Sequence, residues 1–248
     1  MYEKLISNLM KTLLVGVLFC VSGIFSIVSA DGHAVTLRMS TPASATDQRS
    51  IALEEVFAPA VAGFAKYEPH YNGSLIKQGS ELEAIASGDL EMSITSAQEL
   101  AQFFPEFSIL ATGYVHQDAA HQVRVFNDPL MDAFKAKAEN ELGVKLLSIM
   151  YLGRRHVNLR QCRDEVNVQT PADLAGINIR MPGTDAWQFL GKALGANPTP
   201  MAFTEVYTAL STKSVDGQDN PLPTVVDAKF YEVTCQIALT AHLVDLNY

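Results

Sequence analysis

The sequence lacks the residue patterns that mark the common enzyme classes. It contains no His-Glu-x-x-His pair, no Gly-x-Ser-x-Gly turn and no glycine-rich phosphate loop, and its six histidines are scattered along the chain. A hydrolase needs a nucleophile activated by a neighbouring base, and no such pair is recognisable. We therefore expect no catalytic activity, no cofactor and no metal site.

Positive charge is also scarce. The 248 residues carry 18 Lys and Arg against 27 Asp and Glu, a formal net charge of −9. This acidity excludes a general nucleic-acid-binding protein, which would present a basic surface. If the protein binds anions, it has to do so in a local pocket of positive charge.

Long apolar runs are absent except at the amino terminus. Lys4 and Lys11 precede a nearly continuous apolar segment at 13–27, and Val28-Ser29-Ala30 follows as a small-residue cleavage site. This order is typical of a secretory signal peptide. The apolar segment is short for a membrane-spanning helix, which needs about 20 residues. We predict a signal peptide at 1–30 and a periplasmic protein that begins at Asp31.

Cysteine is rare, with three in the whole chain. After cleavage only Cys162 and Cys235 remain, and an oxidising periplasm would allow them to pair. Neither their spacing nor their context brings them together. We therefore expect two unrelated thiols, with a disulfide as the alternative.

Strand-like and helix-like segments alternate along the rest of the chain, which predicts an α/β fold. The length allows one large domain or two small ones. Helical spacing extends over 118–141, with a break at Asn127-Asp128-Pro129. Asn220 is expected in a polar turn. Strands are predicted at 35–39, 144–151, 177–181 and 236–240.

Several short motifs follow one another in a characteristic order. They include Gly88-Asp89-Leu90-Glu91-Met92, Ile179-Arg180-Met181-Pro182, Leu194-Gly195-Ala196-Asn197-Pro198-Thr199-Pro200, Asp216-Gly217-Gln218-Asp219-Asn220-Pro221 and Lys229-Phe230-Tyr231-Glu232. In this order and spacing the chain resembles the solute-binding proteins of tripartite ATP-independent periplasmic (TRAP) transporters, of the C4-dicarboxylate-binding type. The resemblance covers essentially all of the chain after the signal peptide.

The resemblance implies a two-lobed periplasmic solute-binding protein fold (type II-like) with a ligand cleft between the lobes. Lobe I would cover 31–153 and lobe II 154–242, and 243–248 would begin a return crossover to lobe I. The family usually continues many tens of residues further, so we expect the chain to be truncated. Its partners would be a small organic acid, such as a dicarboxylate, and the membrane subunits that receive it.

Three residues are expected to hold the acid. Arg180 ends an apolar strand, and its planar guanidinium matches a carboxylate with two parallel hydrogen bonds. The resemblance implies that Arg155, with its neighbour Arg154 as the alternative, supports this contact and that Asn220 donates to the same carboxylate. In some relatives that bind keto acids through a metal, a tryptophan after a glutamate stands at this last position, so Asp219-Asn220 does not favour metal-assisted binding.

Four more residues are candidate ligand contacts. The resemblance implies that Phe203 packs on the ligand's carbon skeleton. Trp187, the single tryptophan, is expected either in the core or at the edge of the cleft. Glu81 and Gln98 lie at predicted strand-to-helix junctions, which face ligand crevices in α/β sheets.

A periplasmic receptor that passes its signal to another protein would use the same cleft. The sequence does not separate this alternative from transport, and it does not specify the solute.

Overall fold

Two β-sheets organise residues 35–248, the part of the chain that the computed structural model describes. The predicted signal peptide and Asp31 lie outside these residues. The strands are β1 (Val35–Ser40), β2 (Ala65–His70), β3 (Met92–Ser93), β4 (Met150–Leu159), β5 (Asn178–Met181), β6 (Asn197–Pro200), β7 (Gly217–Pro221) and β8 (Gln236–Asn247). The mixed α/β class predicted from the sequence is confirmed.

The α-helices connect the strands and cover the sheets. They span Gln48–Ala52, Ala58–Val61, Glu81–Ser87, Ala97–Leu100, Ala119–Phe126, Leu130–Leu142, Asp185–Ala193, Val206–Ser211 and Leu222–Asp227. A π-helical turn at Leu53–Phe57 and 3-10 turns at Pro105–Ala111, Pro171–Leu174, Phe203–Glu205 and Phe230–Glu232 complete the described elements. Within residues 35–248, no helix has both the length and the apolar character needed to cross a membrane.

The first sheet has the order β2-β1-β3, and both of its strand pairs are parallel. The second has the order β6-β5-β7-β4-β8, in which β5 pairs in parallel with β6 and β7 while β4 pairs antiparallel with β7 and β8. Just beyond β8, Tyr248 and Thr95 exchange two backbone hydrogen bonds of 2.8 and 3.1 Å. The end of β8 therefore reaches the loop that follows β3 in the first sheet.

Local signals fixed several helix ends. The predicted break at Asn127-Asp128-Pro129 is confirmed, since one helix ends at Phe126 and the next begins at Leu130. Gly143 ends the second helix in the left-handed conformation, with φ of 73°, which glycine adopts without steric cost.

The strand predicted at 144–151 is wrong for most of its length. Ladder pairing begins only at Met150, while Val144 and Leu146 are buried in the hydrophobic core around Phe107. An apolar run reports burial, but a strand also needs a neighbouring strand with which to exchange backbone hydrogen bonds.

The polar turn predicted for Asn220 is also wrong. Asn220 lies on β7, between β5 and β4 in the second sheet, and it is buried. Its neighbours Gln218 and Asp219 are buried as well. A strand this polar gives no apolar signal, and it is stable inside the sheet because its side chains find partners there.

The boundaries predicted for the lobes fall inside strands. The junction at 153/154 lies within β4, and that at 242/243 lies within β8, which extends well past the predicted strand end at residue 240. Neither boundary coincides with the end of an element, and the division into lobes at 31–153 and 154–242 remains a prediction.

Cys162 and Cys235 form a disulfide, with their Cα atoms 4.9 Å apart. The expectation of two unrelated thiols is wrong. β4 and β8 pair antiparallel with Leu159 opposite Gln236, so the residues just outside these strand ends are neighbours. Sequence spacing could not reveal this, because it depends on which strands pair.

We expect replacement of both cysteines by serine to lower the free energy of unfolding by about 4 kcal/mol, because the bridge closes a long loop in the unfolded chain. The sequence separation of the two cysteines is 73 residues. Chemical denaturation of both proteins measures the difference, and reductant should destabilise only the wild type. A peptide map of the unreduced protein without the 162–235 link would contradict the prediction.

Candidate functional site

A polar cavity lies where several strand ends meet. Its lining comes from the segments after β1 and β3, from β4, from β5 and the residue that follows it, and from β7 and β8. Its empty volume is about 540 Å³, including the part open to solvent. Ligands of α/β sheets usually bind at the carboxyl ends of parallel strands, and β1, β3, β5 and β7 all contribute here through such ends.

Arg180, on β5, is a fully buried cation with no acidic partner among the described residues. Its Nε donates to the carbonyl oxygen of Met201 at 2.9 Å, and its Nη2 donates to Oε1 of Gln78 at 3.3 Å. Burial and the nearby charge of Arg155 lower the pKa of Arg180 to about 9, so the guanidinium is still charged at neutral pH. A buried charge without a counter-ion is costly, and an anion in the cavity would offset that cost.

Arg155, on β4, is by contrast fully paired. Its Nε and Nη2 donate to Asp219 at 2.9 and 3.1 Å, and its Nη1 donates to Asp245 at 2.6 Å. Burial alone would lower the pKa of Arg155, but the two carboxylates raise it above its ordinary value. Arg155 therefore carries positive charge that the protein itself neutralises.

A backbone irregularity accompanies the position of Arg155. The β4–β8 pairing shifts register between Tyr151 and Gly153 and again between Arg155 and Val157. Gly153 has φ of 128°, and a Cβ there would lie 2.9 Å from Cβ of Pro221. Bulges of this kind re-aim side chains in a strand, and here they flank the arginine that lines the cavity.

Asn220 joins the same network. Its Oδ1 accepts from Nη2 of Arg155 at 3.2 Å, and its Nδ2 donates to Oε1 of Gln218 at 2.5 Å. Asp219 also bonds Nε2 of His242 at 3.0 Å. Burial would raise the pKa of Asp219, but Arg155 and His242 lower it below its ordinary range. Asn220 is thus held in one orientation at the cavity wall.

Aromatic rings form another part of the wall. The guanidinium carbon of Arg155 lies 4.3 Å from the ring centroid of Trp187, and that of Arg180 lies 5.8 Å from the ring of Phe203. Trp187 also packs in the core beneath the second sheet, so it lies both in the core and at the edge of the cavity, the two locations expected for it. Gln78 connects Arg180 with Phe203, since its Oε1 accepts from the backbone N of Phe203 as well as from Nη2 of Arg180.

The structure brings five of the seven predicted contacts to this cavity: Arg155, Trp187, Arg180, Phe203 and Asn220. It does not place Glu81 or Gln98 on the cavity lining, although both are buried. Glu81 instead accepts from Gly79 N at 2.6 Å. Each of the two begins or lies within a short helix, but its side chain is packed rather than directed to the cavity wall.

Sequence reasoning missed several polar residues of the lining. They are Gln78, Arg49, Glu99, Thr224, Asp245 and Asn247. Arg49 pairs with Asp47 at 2.8 Å and donates to Asn247 at 2.8 Å, which joins helix Gln48–Ala52 to β8. None of these six residues was singled out as a candidate contact from the sequence. In the described part of the chain, no group of three or more His, Cys, Asp or Glu is arranged to hold a metal ion.

The fold and this cavity define the class of protein. Solved structures with the same fold are periplasmic solute-binding proteins of TRAP transporters, so the two-lobed binding fold predicted from the sequence is confirmed. The family described as bacterial extracellular solute-binding protein, family 7, matches residues 43–247. The chain belongs to this family.

Individual relatives are similar at different levels. A TRAP periplasmic solute-binding protein of Roseobacter denitrificans, solved with bound 3-deoxy-D-manno-oct-2-ulosonic acid (KDO), is 83% identical with a TM-score of 0.86, covering 86% of this chain and 70% of that one. Another from the same species, solved with L-galactonate, is 28% identical with a TM-score of 0.78, covering 87% of this chain and 71% of that one.

Two curated relatives carry names that refer to sugar acids. The 2,3-diketo-L-gulonate-binding periplasmic protein YiaO of Escherichia coli is 29% identical over 90% of this chain and 67% of its own length. The sialic acid-binding periplasmic protein SiaP of Vibrio cholerae is 31% identical over 66% of this chain and 50% of its own length. The chain thus spans between half and two thirds of these relatives.

We expect the carboxyl group of Glu81 to make stability depend on pH. Burial, together with the nearby charge of Glu99, raises the pKa of Glu81 to about 8. In the unfolded chain a glutamate titrates near pH 4.3, so the native state binds more protons between these values. The contribution of Glu81 to stability is therefore complete below about pH 4 and is lost as the pH rises through about 8.

Thermal melts between pH 5 and 9 should show a smaller fall in melting temperature for Glu81→Gln than for the wild type. Glu83→Gln is the matched control, since Glu83 is exposed on the same helix. A Glu81→Gln protein with the pH slope of the wild type would contradict the prediction.

Proposed function

We propose that this protein captures a small organic acid in the periplasm and delivers it to the membrane subunits of a TRAP transporter. The single observation that carries the proposal is the buried guanidinium of Arg180, which faces the cavity without an acidic partner in the described chain. A carboxylate accepts two parallel hydrogen bonds from such a group.

Four of the predicted contacts have a role in the proposal. Arg180 binds the carboxylate, and the ring of Phe203 packs beside it. Asn220 donates to the same carboxylate or to a neighbouring hydroxyl. Arg155 holds Asn220 in place, while its own charge is balanced by Asp219 and Asp245. The site binds its ligand and carries out no reaction.

We propose KDO, the ligand of the 83% identical Roseobacter protein, as the first candidate solute. Galactonate, which is bound in two related structures, is also a polyhydroxylated carboxylate. The lining of Arg180, Asn220, Thr224 and Asn247 offers polar groups for both the carboxylate and the hydroxyls of such a molecule. A thermal-shift screen of organic acids tests the proposal, because a bound ligand stabilises the folded state.

Replacement of Arg180 by alanine should weaken binding of KDO by more than about 100-fold, because the carboxylate loses its partner at a cost of about 3–5 kcal/mol. Titration calorimetry gives the affinity. The fluorescence of Trp187, the single tryptophan, gives an independent measurement of binding, because its ring lies against Arg155 in the cavity wall. Folding should persist, since the substitution removes a buried charge that has no acidic partner in the described chain.

Arg154→Ala is the matched control. Arg154 is the neighbouring arginine on β4, but its side chain is exposed and donates to the carbonyl oxygen of Gln117 at 2.7 Å. Its replacement should leave the affinity unchanged. Equal affinities in the Arg180→Ala protein and the wild type would reject the assigned role.

A further inference from the structure

A hydrogen-bonded contact joins the loop after β1 in the first sheet to the helix after β7 in the second. The carboxylate of Asp227, the last residue of helix Leu222–Asp227, accepts from the hydroxyls of Ser44 and Thr46. Oγ of Ser44 lies 2.9 Å from each carboxylate oxygen, and Oγ1 of Thr46 lies 2.5 Å from Oδ1. The two hydroxyls are 183 and 181 residues away from Asp227 in the sequence, so the fold alone brings them together.

These hydroxyls are the partners of Asp227 within the described chain. No other residue of 35–248 donates to its carboxylate, and no Lys, Arg or His in that range forms an ion pair with it. The backbone N of Thr46 donates to Oγ of Ser44 at 3.1 Å, which leaves the Ser44 hydrogen for the carboxylate. Hydrogen bonds to an ionised group are stronger than those between neutral groups. The three residues therefore form one connected unit.

The loop that carries Ser44 is fixed to the first sheet. The backbone N of Asn72 donates to the carbonyl oxygen of Ala43 at 2.9 Å, and that of Gly73 donates to Thr41 at 2.9 Å. Asn72 has φ of 56°, a left-handed conformation that asparagine adopts more readily than most residues. The position of Ser44 is thus set by the turn that follows β2.

Asp227 is fixed to the second sheet in a comparable way. Its helix begins at Leu222, directly after β7 ends at Pro221. The helix closes with a bond of 2.9 Å from the backbone N of Ala228 to the carbonyl oxygen of Thr224. A contact between Asp227 and Ser44 therefore holds one sheet to the other.

The contact lies next to the cavity that Arg180 lines. Ala43, which precedes Ser44, and Thr224, about one helical turn before Asp227, are both part of the cavity lining. Ser44 and Asp227 belong instead to a neighbouring recess, and Phe203 borders both spaces. Separation of Ser44 from Asp227 would draw the wall at Ala43 away from the wall at Thr224.

We propose that Asp227, Ser44 and Thr46 form a latch that holds the two walls of the cavity together and slows release of the bound acid. The latch stabilises the arrangement in which the walls meet, and it shifts the equilibrium with a more open arrangement by that difference in stability. Since none of the three residues lines the cavity, the effect should be the same for every acid that binds. This inference rests on the proposed function and adds to it the residues that set how long the solute stays bound.

Asp227→Ala tests the latch in stopped-flow measurements of Trp187 fluorescence with KDO and with galactonate. We expect the dissociation rate constant to rise about 10-fold for both acids, while the association rate constant changes by less than about threefold. Dissociation at the wild-type rate would overturn the inference. An effect confined to one of the two acids would also overturn it, because Asp227 would then act as a contact of that solute.

The double substitution Ser44→Ala with Thr46→Val removes the latch from its other side, and it serves equally if the Asp227→Ala protein does not fold. It should raise the dissociation rate constant by about the same factor. Adding Asp227→Ala to it should have little further effect, because residues that act as one unit are not additive. If the two effects multiply in full, each substitution acts on its own surroundings and the latch is rejected.

Glu232→Ala is the matched control. Glu232 lines the same recess as Asp227, and its carboxylate accepts from the hydroxyl of Tyr207 at 2.7 Å. Both residues lie in segments next to the second sheet, so their bond does not join the two sheets. We expect dissociation at the wild-type rate. A rise as large as that in Asp227→Ala would assign the effect to loss of an acid from the recess and would count against the latch.

A measurement without solute separates the latch from the proposed function. If neither KDO nor galactonate binds to the wild type, the proposed function fails, and spin labels on Glu83→Cys and Thr208→Cys then decide on the latch. Both positions are exposed, on helices that belong to the first and the second sheet respectively. We expect Asp227→Ala to lengthen the mean distance between the labels. An unchanged distance would refute the latch.

Discussion

Arg180 is buried without an acidic partner among residues 35–248, and the rest of the site depends on this constraint. A guanidinium in a protein interior normally pairs with a carboxylate, as Arg155 does twice in the lining of the same cavity. Among the described residues, Arg180 donates to two acceptors, both neutral, the carbonyl of Met201 and the amide of Gln78. The fold therefore maintains a buried positive charge that no ion pair within the described residues neutralises.

Several elements far apart in the sequence hold this charge in position. Gln78 lies between β2 and β3 of the first sheet, whereas Met201 follows β6 in the second, and both accept a hydrogen bond from the same guanidinium. Burial and the charge of Arg155 lower the pKa of Arg180, while Asp219, Glu99 and Glu205 limit that effect. The same network explains why the polar strand β7 can be buried. Its side chains complete a network around Arg155, and a polar network in a protein interior is stable only when its members are partnered.

The two buried arginines differ in their hydrogen-bond partners. This difference separates the ligand-binding role proposed for Arg180 from the supporting role proposed for Arg155. Both were predicted as contacts for the carboxylate, and in sequence they look alike. In the fold, the N–H groups of Arg155 donate mainly to aspartates, whereas Nη1 of Arg180 donates to no described residue.

The sequence by itself determined the α/β class, the break at Asn127-Asp128-Pro129 and, through ordered motifs, the residues Arg180, Phe203 and Asn220. These features are local, since backbone preferences and short motifs act within a few residues. Tertiary structure decided what depends on partners. It turned the expected turn at Asn220 into a central strand and brought Cys162 and Cys235 together through the pairing of β4 with β8. It also left Arg180 without an acidic partner among residues 35–248, because the partners of a buried charge come from distant segments that only the folded chain brings into contact.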